Sequence, residues 1–242
     1  VKLTDKQMEN FNRTGFLAYG PLLIEAEIQE LRARIEGLFS NTELDNPRSG
    51  NQVRELRMNE FGEYDGSIMQ ILNVSEYDSY FCKWMMDCRL LDIAESLLGS
   101  NIRAWDEVLY KPAREGGEVS WHQDNEYFGL EPDRFITCWI PLTDVDGESG
   151  SLRVIPGSHK QGSREDTPGF QGTIMTELQG INDRDAITLE LPAGGLSVHH
   201  VMTAHASQPN QSARPRPVYA VRYASTECKS TQGADKQQVI EA

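Results

Sequence analysis

Positive charge and long apolar runs are both scarce in this 242-residue chain. It carries 23 Lys and Arg against 37 Asp and Glu, which gives a formal net charge of −14. A surface of that sign repels polyanions, so we expect neither nucleic acid nor an anionic membrane as a partner. No segment approaches the roughly 18 apolar residues of a spanning helix, and the opening VKLTDKQMEN lacks the basic-then-apolar order of a secretory signal. These absences predict a soluble, cytoplasmic protein.

Cysteine is also sparse. The four cysteines, at positions 82, 88, 138 and 228, form no Cys-x-x-Cys pair and are too few for a disulfide-stapled scaffold. A chain of this length can bury a sufficient core without such staples. We therefore expect reduced thiols, most of them packed in the interior.

Helical periodicity is confined to the first hundred residues. Thr4 and Gln7 form a capping-box pattern at the start of a first short helix. Apolar side chains from Ile24 to Leu38 recur at steps of four and three, which places them on one face of a second helix. The predicted helices cover about residues 4–15, 24–38 and 78–99, the last with a bend near Asp87.

After residue 99 the chain changes to short runs rich in Ile, Val, Trp, Tyr and Phe, separated by Gly, Pro, Asp and Asn. Strands are predicted at 101–111, 118–124, 134–142, 151–156, 187–191, 195–202 and 217–225. Because no helical pattern separates them, they favour an antiparallel sandwich or jelly roll over a parallel βαβ sheet. We expect one domain over 1–242, in which helices within 4–99 pack on a β core of 100–226.

Two polar inserts, 41–66 and 160–185, show no period that would bury them. They flank the strands that carry the candidate ligands described next. We expect them to act as lids that close over a bound substrate. Plain surface loops are the alternative interpretation.

Histidine is rare enough for each one to be considered, since the chain has five. His122 and Asp124 form a His-x-Asp pair at the end of a predicted strand, where the two-residue period sends both side chains to one face. A second group, His199, His200 and His205, lies in and after a late strand. Two imidazoles and one carboxylate on one face of a metal, with three positions open, are the ligand set of non-haem Fe(II) oxygenases. A structural site would saturate the ion instead.

The sequence around these histidines reads WHQDNEYFGLEPDRFITCWIPLTDVDGESGSLRVIPGSHKQG and, later, LPAGGLSVHHVMTAHASQPNQSARPR. Both segments resemble the phytanoyl-CoA dioxygenase family of Fe(II)- and 2-oxoglutarate-dependent oxygenases. The opening helices, the LLDIAESLLGS helix and the LYKPA strand are also similar to that family, so the likeness covers most of the chain. The resemblance implies a double-stranded β-helix (jelly roll, cupin-like) core with helices on one side. It also implies a metal bound by His122, Asp124 and a distal histidine.

The resemblance also selects the distal ligand. Family members place His-x-Ser after an apolar strand, and an Arg eleven residues beyond the His. Here these positions are His205, Ser207 and Arg216, so His205 is implied as the third ligand. His199 and His200 are the alternatives; they are adjacent in a strand and point to opposite faces, so we expect one of them to line the pocket.

The cosubstrate 2-oxoglutarate chelates the metal through its keto acid end and needs a fixed cation for its distal carboxylate. A planar guanidinium pairs bidentately with a carboxylate and suits this task better than Lys. By the resemblance, Arg216 takes this role, Ser207 offers a hydroxyl to the same carboxylate, and Trp139 forms an aromatic wall beside the cosubstrate. Arg214 is the alternative cation, and an ordinary buried core residue is the alternative interpretation of Trp139.

Glu107 departs from the family pattern, in which an uncharged side chain stands near the cosubstrate. A carboxylate at that position would repel 2-oxoglutarate. We therefore expect Glu107 either to face away from the site or to meet a cationic part of the substrate.

Together these residues indicate an oxygenase that uses Fe(II), 2-oxoglutarate and O2. It would oxidise, most simply hydroxylate, an unactivated C–H bond of a small molecule, with release of succinate and CO2. A zinc hydrolase with the same two histidines and aspartate is one alternative, although it would leave Arg216 and Ser207 without a role. A non-catalytic jelly-roll binding module is the other. The sequence identifies neither the substrate nor the oligomeric state.

Overall fold

The computed structural model describes residues 2–40, 54–55, 69–114, 116–163, 166–167 and 177–231. Within these residues the α-helices are α1 (Asp5–Thr14), α2 (Glu25–Ser40), α3 (Tyr80–Met85), α4 (Cys88–Leu98) and α5 (Asp124–Phe128). The strands are β1 (Phe16–Tyr19), β2 (Arg54–Glu55), β3 (Met69–Leu72), β4 (Ile102–Lys111), β5 (Val119–His122), β6 (Leu130–Glu131), β7 (Phe135–Pro141), β8 (Leu152–Val154), β9 (Asp166–Thr167), β10 (Glu177–Leu178), β11 (Ile187–Thr188), β12 (Leu196–His200), β13 (His205–Ser207), β14 (Arg216–Ser225) and β15 (Lys229–Ser230).

Two antiparallel sheets form the centre of the fold. The larger has seven strands in the order β1-β12-β7-β14-β4-β3-β2, and the smaller has four in the order β11-β8-β13-β5. Apolar side chains of both sheets meet between them, such as Trp139 and Val218 from the larger sheet and Leu152 and Val154 from the smaller. The predicted jelly-roll fold is confirmed.

The helices pack on the outer face of the larger sheet. Leu31 and Ile35 of α2 and Ile93 of α4 are fully buried in one apolar cluster with side chains of β14. The hydroxyl of Tyr223 also donates to the backbone oxygen of Met85 at the end of α3, at 2.8 Å. The helices therefore cover one side of the sheet and leave its other side for the site.

Strand alternation divides β14 between these two environments. Tyr219, Val221 and Tyr223 belong to the cluster beneath the helices. Their even-numbered neighbours, among them Arg216 and Arg222, face the space between the sheets. A strand with a two-residue period can therefore supply both core and site.

Several predicted boundaries were wrong. The second helix begins at Glu25, and Ile24 before it is 66% exposed rather than part of the apolar face. The third helical stretch is two helices, because Asp87 caps α4 through the backbone N–H of Arg89. The strand predicted over 118–124 ends at His122, and strands β1, β3 and β13 were not predicted.

Other predictions at the level of single residues have mixed outcomes. The capping box of Thr4 and Gln7 is present, and α1 ends at Gly15 in the left-handed conformation. All four cysteines are free, but Cys82 and Cys88 are exposed, so only half of the thiols are packed.

The lid hypothesis concerns residues 41–66 and 160–185, and it stays a prediction because 41–53, 56–66, 164–165 and 168–176 lie outside the described residues. Residues 54–55, inside the first insert, form β2 and pair with β3 at the end of the larger sheet. Across the described ranges, no helix combines the length and the apolar character needed to cross a bilayer.

A buried carboxyl group lies on the helix-facing side of β4. Asp106 accepts hydrogen bonds from the hydroxyl of Ser75 at 3.0 Å and from the hydroxyl of Tyr219 at 3.0 Å. Burial raises the pKa of Asp106 to about 6, against an ordinary value of 3.8. Between about pH 4 and pH 6, Asp106 is therefore mostly protonated in the folded protein and mostly ionised in the unfolded chain.

We expect Asp106→Asn to remove one component of the pH dependence of stability. Between about pH 4 and pH 6 the unfolded state binds fewer protons at this residue, so the free energy of unfolding falls as pH rises. Two pK units correspond to roughly 3 kcal/mol. Urea titrations from pH 4 to pH 7 should show the wild type losing stability of that order relative to the variant. Parallel pH profiles of the two proteins would contradict the assignment.

Candidate active site

Three side chains predicted as metal ligands converge between the two sheets. His122, Asp124 and His205 each bring one nitrogen or oxygen atom to within 4.8 Å of the others. His122 ends β5 and His205 begins β13, and the two residues are direct partners in the register of the smaller sheet. Their ring centroids are 4.1 Å apart.

Asp124 lies just beyond the end of β5. It is the first residue of α5, after the chain has left β5. Its Oδ1 lies 3.8 Å from Nε2 of His122 and 3.6 Å from Nε2 of His205. Its Oδ2 accepts a hydrogen bond from the hydroxyl of Thr137 at 2.8 Å, which fixes the orientation of the carboxylate. The predicted neighbourhood is therefore present; β5 ends two residues earlier than predicted, but Gln123 between the two ligands is still extended.

Backbone carbonyl groups set the tautomers of both imidazoles. Nδ1 of His122 lies 2.8 Å from the carbonyl oxygen of Ser120, and Nδ1 of His205 lies 2.8 Å from that of Thr203. Because a carbonyl oxygen can only accept, each Nδ1 carries the proton and donates. Each Nε2 is left with a lone pair directed at the other ligands, as metal-binding histidines require.

The charges of the three groups also suit a cation. Burial, together with the neighbouring imidazole, lowers the pKa of His122 and of His205 to about 4. Burial opposes ionisation of Asp124, but its imidazole neighbours and Arg222 hold its pKa well below the usual range. At neutral pH the group is therefore two neutral imidazoles and one carboxylate, the form that binds a divalent metal.

His199 lines the same cavity, as we expected of one of the two adjacent histidines. Its ring centroid is 4.4 Å from that of His205, and its Nε2 is 3.6 Å from Oδ2 of Asp124, beyond hydrogen-bond distance. Neither ring nitrogen of His199 has a hydrogen-bond partner among the described residues. His200 faces elsewhere, with its Nδ1 accepting from the backbone N–H of Met202 at 3.2 Å.

A buried cation lies at one end of the cavity. Arg216 is 2% exposed, and its guanidinium carbon is 5.6 Å from the centre of the Trp139 ring. Its Nε donates to none of the described residues, and burial lowers its pKa to about 9. The alternative cation, Arg214, is exposed. A buried guanidinium without an acidic partner fits an anionic ligand, because burial of an unpaired charge is otherwise costly.

Ser207 lines the same cavity as Arg216 and is held by a second cation. Nζ of Lys111 donates to the hydroxyl of Ser207 at 2.7 Å and to the backbone oxygen of Gln208 at 2.6 Å. Lys111 and Arg216 are register partners on β4 and β14. The sequence did not point to Lys111; the signal for it was the pairing of the LYKPA strand with the strand that begins at Arg216.

Glu107 does not face away from the site, so the first of the two expectations was wrong; the second, that it meets a cationic part of the substrate, stays a prediction. It is 1% exposed and lines the cavity, and its Oε1 lies 2.6 Å from Nη2 of Arg222. Its Oε2 accepts from the side-chain amide of Gln70 at 2.5 Å. Arg222 thus compensates the carboxylate from within the protein. The sequence analysis did not predict this pair. The available signal was that Arg222 lies six residues after Arg216 in one strand, so the two side chains point to the same face.

One cavity of about 610 Å³ joins these groups. Its lining combines the three candidate ligands with polar and apolar side chains of both sheets: Gln70, Glu107, Leu109, Val119, His122, Asp124, Thr137, Trp139, Leu152, His199, His205, Ala206, Ser207, Arg216 and Arg222. The candidate ligands, the buried Arg216 and the Glu107–Arg222 pair therefore open into the same space.

Known proteins share this fold and up to about a quarter of the aligned residues. The chain is 26% identical over 238 residues to the peroxisomal phytanoyl-CoA dioxygenase of Homo sapiens, which covers 93% of this chain and 70% of the relative. It is 26% identical over 244 residues to the ectoine dioxygenase of Bordetella bronchiseptica, covering 93% and 76%. The crystal structure of the epimerase SnoN in complex with Fe3+, alpha ketoglutarate and nogalamycin RO superposes with a TM-score of 0.76 at 20% identity, covering 96% and 92%. That last likeness concerns the fold.

A jelly roll with two imidazoles and one carboxylate between its sheets, in a chain related to dioxygenases, defines an Fe(II)- and 2-oxoglutarate-dependent oxygenase. The family model for phytanoyl-CoA dioxygenase (PhyH) matches residues 11–218, and the chain belongs to that family.

Proposed function

We propose that this oxygenase oxidises a C–H bond of a small molecule and that His122, Asp124 and His205 bind its iron. The observation that carries the proposal is the convergence of these three ligand atoms within 4.8 Å of one another, in one cavity with the buried Arg216, whose Nε donates to none of the described residues. A zinc hydrolase would use the three ligands but would have no need of a buried cation beside them. A binding module would need neither.

Each residue has a separate task in this proposal. His122 and His205 present Nε2 to the metal, and the carbonyl oxygens that accept from their Nδ1 atoms keep the rings in place. Asp124 presents a carboxylate that Thr137 orients. The bound iron and 2-oxoglutarate supply the oxidising chemistry, and the protein supplies binding, orientation and exclusion of water.

At the far end of the cavity, the Arg216 guanidinium binds the distal carboxylate of 2-oxoglutarate. Ser207 accepts from Lys111, and its own hydroxyl proton is left to donate to the same carboxylate. Trp139 forms the wall beside them. A charge-assisted pair in such a buried site is about twice as strong as a neutral hydrogen bond.

The substrate is expected to be a small molecule, as the name of the ectoine dioxygenase relative suggests for that protein. A location in the cytoplasm stays a prediction, because relatives such as the human enzyme are named as peroxisomal. The organisation of residues 1–242 as one domain also stays a prediction.

The test is spectroscopic. Anaerobic addition of Fe(II) and 2-oxoglutarate to the purified protein should produce the charge-transfer band of 2-oxoglutarate chelated to Fe(II). Zn(II) in place of Fe(II) serves as the control, because a filled d shell gives no such band. Absence of the band with Fe(II), together with hydrolase activity of the zinc-loaded protein, would favour the alternative function.

A further inference from the structure

A second lobe of the cavity extends away from Arg216. It is open to solvent, has a volume of about 530 Å³, and shares His122, Asp124, Glu107, Arg222 and Gln70 with the space described above. Its remaining lining consists of Leu72, Gln123, Glu126, Tyr127 and Phe128. A molecule in this lobe would therefore lie beside the candidate metal ligands, where a substrate of the proposed oxygenase has to be.

Polar atoms in this lobe have unused hydrogen-bonding capacity. Nε and Nη1 of Arg222 are buried and donate to none of the described residues. Oε1 of Gln70 is buried and accepts no hydrogen bond from them. Oε1 of Glu107 lies 2.6 Å from Nη2 of Arg222 as an ion pair, and a carboxylate oxygen can accept from a second donor as well. Buried polar atoms that have no partner within the protein normally have a ligand or water as partner.

The Arg222 guanidinium stays charged in this setting. Its side chain is 9% exposed. Burial lowers the pKa of Arg222, but the negative charges of Glu107 and Asp124 raise it by more. The guanidinium carbon also lies 5.5 Å from the centre of the Phe128 ring, so an apolar surface adjoins the charged pair.

The two opposite charges discriminate among substrate classes. A purely anionic head group would be attracted by Arg222 but repelled by Glu107, and a purely cationic one would meet the reverse. A neutral, apolar molecule would leave Nε and Nη1 of Arg222 and Oε1 of Gln70 without partners, which costs free energy for each of them. A head group with one anionic and one cationic part supplies an acceptor to Arg222 and donors to Gln70 and Glu107.

We infer that the Glu107–Arg222 pair, with Gln70, binds a dipolar head group, so that the substrate is a small zwitterion of the amino-acid type. Its carboxylate would accept from Nη1 of Arg222, and its ammonium would donate to Oε1 of Glu107 and Oε1 of Gln70. Its carbon chain would lie against Phe128 and Leu72, next to His122 and Asp124. This inference rests on the proposed function, because the bound zwitterion is the substrate only if the protein is an oxygenase that acts on a small molecule.

The test compares three probes with six-carbon chains that differ in the charge of the head group: L-norleucine, hexanoate and hexylamine. Their dissociation constants are measured anaerobically by calorimetry on the protein loaded with Fe(II) and saturating 2-oxoglutarate. L-Norleucine should bind at least about tenfold more tightly than either probe with a single charge, because it makes charge-assisted hydrogen bonds with both members of the pair.

Charge-removing variants then assign the two halves of the head group. Arg222→Gln should weaken L-norleucine about tenfold or more without weakening hexylamine. Glu107→Gln should weaken L-norleucine similarly without weakening hexanoate. The matched controls are Arg214→Gln and Glu118→Gln, which make the same changes at exposed positions and should leave all three affinities unchanged.

The inference is overturned if wild type binds L-norleucine no better than both single-charge probes, and also if it binds none of the three. It is equally overturned if folded Arg222→Gln and Glu107→Gln proteins bind L-norleucine as wild type does. The wild-type comparison decides the matter even if a variant fails to fold. A protein that gives the charge-transfer band but shows no preference for L-norleucine loses this inference alone, whereas absence of the band removes the proposed function and leaves the probe affinities measurable.

Discussion

The variant His205→Ala is expected to lose Fe(II) affinity by at least about a hundredfold. Removing a residue that only supports a ligand typically costs ten- to a hundredfold, and loss of the ligand itself costs more. The physical reason is that Nε2 of His205, 3.6 Å from Oδ1 of Asp124, is one of three convergent donor atoms. Equilibrium dialysis under anaerobic conditions, followed by determination of bound iron, measures the effect.

His199→Ala and His200→Ala are the matched controls. His199 tests mere proximity, since its ring centroid is 4.4 Å from that of His205 and it lines the same cavity. His200 lies next to His199 in β12, but its side chain faces away from the cavity, so its variant tests the loss of a histidine outside the site. Both variants should bind iron within about threefold of wild type, well below the cost of removing even a supporting residue. If either one loses iron while His205→Ala retains it, the third ligand has been assigned to the wrong histidine.

The second large effect is expected for the cosubstrate. Arg216→Ala should raise the 2-oxoglutarate concentration needed for half-maximal formation of the charge-transfer band by roughly ten- to a hundredfold. A hydrogen bond to a charged group contributes about 1.5–3 kcal/mol, and each 1.4 kcal/mol is a factor of ten. Without 2-oxoglutarate the variant should be at least as stable as wild type, because burial of the unpaired guanidinium already lowers its pKa to about 9.

Two further variants make this result specific. Arg216→Lys keeps the charge but not the planar fork, so it should recover only part of the affinity. Arg214→Ala removes an exposed guanidinium two residues away and should have no effect. A normal requirement for 2-oxoglutarate in Arg216→Ala, with a raised one in Arg214→Ala, would reverse the two assignments.

The β core could be predicted because its long strands have recognisable local sequence patterns. In β14 and β7, runs of β-branched and aromatic residues are bounded by Pro, Asp and Gly. Strands β1, β3 and β13 have four residues or fewer, too short for a two-residue period to stand out. These short strands exist because longer neighbours supply their hydrogen bonds, as β12 does for β1.

The candidate ligands were predictable for a similar reason, since His-x-Asp and His-x-Ser are local patterns. The groups that orient or complement them are not local. Thr137 reaches Asp124 from another strand, and Glu107 meets Arg222 only because β4 pairs with β14. Such contacts depend on the register between distant segments, which one sequence does not reveal. The sequence does show which residues of one strand share a face, because side chains an even number of residues apart point the same way. Thr137 lies two residues from Trp139, and Arg222 lies six residues from Arg216.

The two buried arginines of β14 lie on one strand face, six residues apart, with Val218 and Ala220 between them. At about 3.3 Å per residue, their backbone positions are separated by roughly 20 Å. If the proposed roles hold, a substitution at the Arg222 end would alter which molecule is accepted while the Arg216 end would continue to bind 2-oxoglutarate. Such a division lets selection change the specificity of the enzyme in small steps, because each intermediate sequence keeps a working oxidation centre. By the same proposal, Gln70, Glu107 and Arg222 are the positions where we would place a library of variants to redirect the enzyme to new substrates.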